Sequence, residues 1–127
     1  MFKSNGILEV NDGLRIVTQL DFNLYYKWLI ERYHWNTVKL QLPKHRGHIT
    51  LINPKIHKGF TYTPAIPYIG KKIEFQYDPL KIYESKVNFW IPIKCELGEQ
   101  IKKECGIIEN SNYWGLHFTI ANTKYEN

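Results

Sequence analysis

The sequence predicts an α+β domain built from two similar strand–helix–strand units. Three observations lead there. The chain has 127 residues, which suits one core and leaves no room for two. Short alternating, β-branched segments are separated by two stretches with helical spacing. Each unit also ends on a strand-like segment carrying His-x-Thr, once as HIT and once as HFT.

Leu14 to Thr18 (LRIVT) alternates and reads as a strand. Asp21 can cap a helix running to about Tyr33, with Phe22, Tyr25, Trp28 and Leu29 as its buried face. Thr37 to Leu42 (TVKLQL) alternates again, and His48 to Ile52 (HITLI) is a short strand after a basic turn. From Asn53 to Gly70, three prolines and two glycines argue against an α-helix. The expectation there is a long loop carrying Phe60, Tyr62 and Tyr68, folded over the site as a lid. Lys71 to Tyr77 is a strand followed by an Asp78-Pro79 turn. Val87 to Cys95 is a strand in which Pro92 suggests an edge or a bulge. Glu96 to Cys105 is a short helix stopped by Gly106, Asn110 to Asn112 is a turn, and Leu116 to Ala121 is the last strand.

Composition narrows the function classes. Apolar residues make up 43% and charged residues 23%, enough for a packed core. No apolar run reaches the roughly 18 residues of a membrane-spanning helix. The opening MFKSNGILEV lacks the apolar segment of a signal peptide. Cytoplasmic residence is therefore expected, in the host cytoplasm if the source is a virus or phage. The heavy use of Ile, Lys, Asn and Tyr suggests an A/T-rich coding sequence of that kind. Cys95 and Cys105 match no zinc or redox spacing and are expected to be reduced core thiols.

The net charge is +5, and it is unevenly spread. No acidic residue lies between Glu31 and Glu74, and that stretch carries +8 while the remainder carries −3. Such a segment is either a solvated basic face or a footprint for a polyanion.

The two His-x-Thr segments carry the chemistry. On a strand, residues two apart share a face, so His48 and Thr50 project together, as do His117 and Thr119. Brought side by side, they would offer two imidazoles and two hydroxyls to one ligand. One imidazole can deprotonate a nucleophile while the other protonates a leaving oxygen. The hydroxyls can donate to the non-bridging oxygens of a phosphodiester, so neither a metal nor another cofactor is required. His45 and His48 form H-x-x-H, but no Cys or carboxylate cluster accompanies them, and no metal site is expected.

The segments GHITLI and LHFTIA resemble the paired motifs of the 2H phosphoesterase superfamily. The resemblance implies a two-lobed α+β fold, with pseudo-twofold antiparallel sheets and flanking helices around a central cleft. The lobes would be about 14–52 and 87–123, within a single domain over 1–127. It implies catalytic roles for His48 and His117 and phosphate-binding roles for Thr50 and Thr119. The chain differs in placing the Pro-rich loop where many members have a second helix.

Around this centre, Tyr62, Tyr113 and Trp114 are candidates for stacking on a base, with core or edge roles as the alternative. Lys44, Arg46, Lys55 and Lys124 are candidates for a second phosphate, or else ordinary surface cations. The expected activity is metal-independent cleavage of a small oligonucleotide. A cyclic or 2′,5′-linked immune second messenger is the favoured substrate, as for the viral and phage members. The alternatives are a 2′,3′-cyclic phosphodiesterase acting on RNA ends and a non-catalytic nucleotide-binding module. The expected partner is the nucleotide or oligonucleotide substrate, with no membrane and no obligate protein partner.

Overall fold

A computed structural model describes residues 2–18, 28–32, 47–78, 80–84, 88–107 and 115–122. Its strands are β1 (Phe2–Val10), β2 (Leu14–Val17), β3 (His48–Ile52), β4 (Lys72–Tyr77), β5 (Tyr83–Glu84), β6 (Asn88–Lys94) and β7 (His117–Asn122). One α-helix, α1, spans Glu96–Glu104, a 3₁₀ helix spans Thr63–Tyr68, and residues 28–32 are helical.

The strands pair antiparallel in the order β4-β1-β2-β3-β7-β6-β5. A further pairing joins β4 to β6, Gln76 opposite Lys94 and Tyr77 opposite Ile93. That contact turns the sheet into a closed six-stranded barrel, with β5 as a short flap on β6. The expected two-lobed α+β architecture is thereby overturned. The strands assigned to separate lobes are neighbours in one sheet, and no interlobe cleft exists between β3 and β7.

The physical reason lies in β1, which the apolar pattern hides behind Ser4, Asn5 and Gly6. This strand pairs β2 on one edge and β4 on the other, and so completes the ring. It turns into β2 through Asn11-Asp12-Gly13, where Asp12 and Gly13 adopt φ of 52° and 127°. Gly13 is required twice over, because a Cβ there would collide with the Ile52 carbonyl. Alternate side chains then turn inward, and Leu8, Ile16, Ile49, Ile73, Phe75 and Phe118 fill the lumen.

β6 explains its own proline. The Ile93 N–H donates to the carbonyl of Leu116, the residue before β7, so alternation turns the nitrogen of Pro92 to the opposite edge. On that edge Pro92 falls between the residues paired with β5 and those paired with β4, where no ladder bond needs its missing N–H. A bulge between Phe89 and Trp90 accompanies it.

α1 packs against β3, β4 and the 3₁₀ helix. Its N-cap is Cys95, whose thiol accepts from the Gly98 N–H at 3.3 Å and donates to the Glu74 carbonyl at 3.4 Å. Glu96 and Glu99 in the first turn and Lys102 and Lys103 in the last complement the helix dipole. Cys95 and Cys105 are free, buried thiols, and burial pushes both above the usual thiol range.

Two local expectations are corrected. Trp28 is 54% exposed, with the Arg32 guanidinium 5.3 Å from its ring centre, and Ile30 is the residue that turns inward. Phe22 and Tyr25 lie outside the described residues, as does the TVKLQL segment. The Asn53–Gly70 stretch is not a lid. It contains the 3₁₀ helix, and its aromatics Phe60, Tyr62 and Tyr68 pack against the core. Backbone bonds from Thr61 to Cys105 and from Gly70 to Leu8 pin it to α1 and β1.

Candidate functional site

β3 and β7 meet in an antiparallel pair with Ile49 opposite Phe118. Both residues are sealed in the lumen, at 0% and 2% exposure. Alternation therefore turns His48, Thr50, His117 and Thr119 to the outer wall, where all four are half-buried. Carrying the register one residue each way sets His48 against Thr119 and Thr50 against His117. Directly opposed residues lie about 4.5–5.5 Å apart. The two imidazoles and two hydroxyls thus form a square in which each histidine faces a threonine.

The flanking strands complete the patch. On β2, Val17 lies opposite His48 and Arg15 opposite Thr50. On β6, Trp90 lies opposite Thr119 and Pro92 opposite His117. Arg15 was missed in the sequence because it lies outside the basic stretch. The signal that reveals it is register, with strand LRIVT pairing beside strand HITLI. Trp90 is only 7% exposed yet stands outside the lumenal core. It sits 6.5 Å from the His117 ring and 6.3 Å from Tyr83, ring centre to ring centre.

His117 is held by its own strand entry. Its Nδ1 is 3.0 Å from the Gly115 carbonyl oxygen. A carbonyl can only accept, so Nδ1 carries the proton and the neutral ring presents its lone pair at Nε2. Burial lowers the pKa of this histidine, and the Lys102 cation lowers it further, against the opposing pull of the Gly115 hydrogen bond. The neutral form, the one able to take a proton, is favoured at neutral pH.

The remaining candidates scatter. Tyr62 is half-buried in contact with Phe60, their rings 5.1 Å apart and near edge-to-face, and its packing is with the core. Lys55 is exposed on the turn after β3, where its N–H donates to the Asn53 side chain at 3.0 Å. Lys44, Arg46, Tyr113, Trp114 and Lys124 lie outside the described residues, as does His45 of the H-x-x-H pair. Among the described residues no helix is long and apolar enough to cross a membrane.

No family model, no curated protein and no solved structure matches the chain.

Proposed function

We propose that this protein is a metal-independent phosphodiesterase acting on a small oligonucleotide. The observation that carries the reading is the Ile49–Phe118 register, which sets both His-x-Thr segments on one outer patch. The resemblance to 2H phosphoesterases now rests on those two segments, without the two-lobed frame. Within the class of small oligonucleotides, it favours a cyclic or 2′,5′-linked second messenger.

The roles follow from the protonation argument. His117, neutral with its lone pair at Nε2, takes the proton of an attacking water as oxygen bonds to phosphorus. His48, facing Thr119 across the same square, takes the complementary role of acid in this reading, giving a proton to the departing ester oxygen as the phosphorus–oxygen bond breaks. Thr50 and Thr119 donate to the non-bridging oxygens where charge accumulates, and Arg15 beside Thr50 adds a fixed cation. The reaction adds one water and releases a phosphomonoester and a hydroxyl.

One observation favours a second reading, a non-catalytic nucleotide-binding module. Tyr83 on the same wall is exposed and backed by the buried Trp90 ring, so its outer face is one on which a base can stack. Alanine at His48 or His117 separates the two readings. The phosphodiesterase loses about 100-fold or more in turnover with its fold retained, the usual scale for a lost acid or base. A binding module shows no turnover to lose.

A further inference from the structure

Two rows of outward side chains cross the strands through the four-residue square, and the register fixes the order of each. The first row contains His48 and Thr119. Beyond His48 it continues to Val17 on β2 and Ile7 on β1. Beyond Thr119 it continues to Trp90 on β6 and Tyr83 on β5. The second row contains Thr50 and His117. It runs to Arg15 on β2 and Glu9 on β1 at one side, and to Pro92 on β6 at the other.

The rows differ in chemistry. The first is apolar on both flanks of the square. Val17 and Ile7 are half-buried on one side, while on the other Tyr83 is 49% exposed above the buried Trp90 ring, 6.3 Å between ring centres. The second row holds the charges. Arg15 sets a cation beside Thr50, and Glu9 past it is an exposed acceptor, suited to a sugar hydroxyl. A sugar–phosphate edge fits the second row and flat apolar groups fit the first.

Strand spacing decides how many flat groups the wall can take. Ile7 lies two strands out from β3, and Tyr83 lies two strands out from β7. Adjacent strands are about 4.8 Å apart, so each flank ends about 10 Å from its edge of the β3–β7 seam. The flanks are therefore matched in reach. The wall of a closed barrel also curves away from the seam in both directions. One flat group cannot cover both flanks, and two groups stacked on each other would meet only one of them.

We propose that the wall binds a dinucleotide astride the β3–β7 seam, its diester over the square, one base splayed onto Tyr83 and the other onto Val17 and Ile7. That the seated diester is the bond cleaved rests on the phosphodiesterase reading; the two base sites do not. Tyr83 gives the stronger contact, because every base has a π-face to stack on a ring, whereas the aliphatic flank offers apolar area alone.

Titration of the full chain with diadenosine phosphorothioates, 2′,5′- and 3′,5′-linked to resist hydrolysis, tests the assignment. At least one should bind saturably, at least tenfold more tightly than AMP. In wild-type protein the Ile7 methyl and Tyr83 ring resonances should both shift with the dinucleotide, and inorganic phosphate should move neither. Tyr83→Ala, an exposed change on a two-residue strand, should weaken the dinucleotide about tenfold. No saturable binding, an affinity matched by AMP or unchanged in Tyr83→Ala, or shifts at one flank only overturns the proposal. So do shifts that phosphate alone reproduces. Two-flank binding by a protein that cleaves no phosphodiester keeps the base sites and removes the phosphodiesterase reading. Cleavage by a protein whose Ile7 and Tyr83 stay unmoved does the reverse.

Discussion

Replacing Gly6 with alanine tests whether β1 closes the barrel. Gly6 lies midway along β1, opposite Ile73 of β4, and presses against β2. An added Cβ would stand 2.6 Å from the Val17 carbonyl oxygen and 2.7 Å from Ile16 Cγ2. Ordinary contact begins near 3.4 Å, so the β1–β2 seam must part by most of an ångström. One obstacle is backbone, and the other belongs to a fully buried isoleucine, so neither moves freely. Overpacking of this kind costs about 1–3 kcal/mol. For a domain of this size that corresponds to a fall in Tm of roughly 4–12 °C. Asn5→Ala, an exposed change on the same strand, supplies the control and should stay within about 0.5 kcal/mol. Thermal unfolding followed by circular dichroism reads both variants. If Gly6→Ala is no more destabilising than Asn5→Ala, β1 does not lie against β2 as described and the barrel is open.

Two further outcomes follow from the site. His57 and His117 both have pKa values held below the ordinary 6.5, chiefly by burial, so protonating either costs more in the folded than in the unfolded chain. Their contribution to stability is complete above about pH 6.5 and is lost as the pH falls through their folded values; Tm should drop on acidification from pH 7, and His57→Gln should flatten that drop, whereas a Tm rising over the same interval contradicts the assignment. Thr50→Val and Thr119→Val keep side-chain shape but remove a donor to the developing charge; each should lower kcat by about 100-fold with little change in KM, and a loss confined to KM would make the hydroxyls ground-state contacts.

The sequence disclosed individual strands better than their closure. HITLI, KKIEFQY and LHFTIA announce themselves by alternation, and the Cys95-capped helix by its flanks. Closure depended on β1, where glycine and polar residues replace the apolar side chains that would have marked a strand. Gly6 is there because β2 approaches too closely for anything larger, so the feature that hid the strand is the one that lets it pack. The Pro-rich stretch misled for a related reason. Prolines exclude an α-helix but suit a 3₁₀ turn, and its aromatics found the barrel core instead of a ligand. Within the site, the four residues of the two motifs were legible from a two-residue period. Arg15 and Trp90 were not, because each reaches the patch only through cross-strand register.

In the proposed reading, two histidines and two threonines on one barrel wall cleave a phosphodiester unaided by metal. The most direct measurement incubates purified protein, in excess EDTA, with cyclic dinucleotides, 2′,5′-oligoadenylate and 2′,3′-cyclic-ended RNA, and resolves the products. Cleavage of at least one cyclic or 2′,5′-linked substrate to phosphomonoester products, abolished by His117→Ala, is the predicted result. Intact substrates in every incubation, or cleavage that vanishes in EDTA and returns with a divalent ion, would contradict the account.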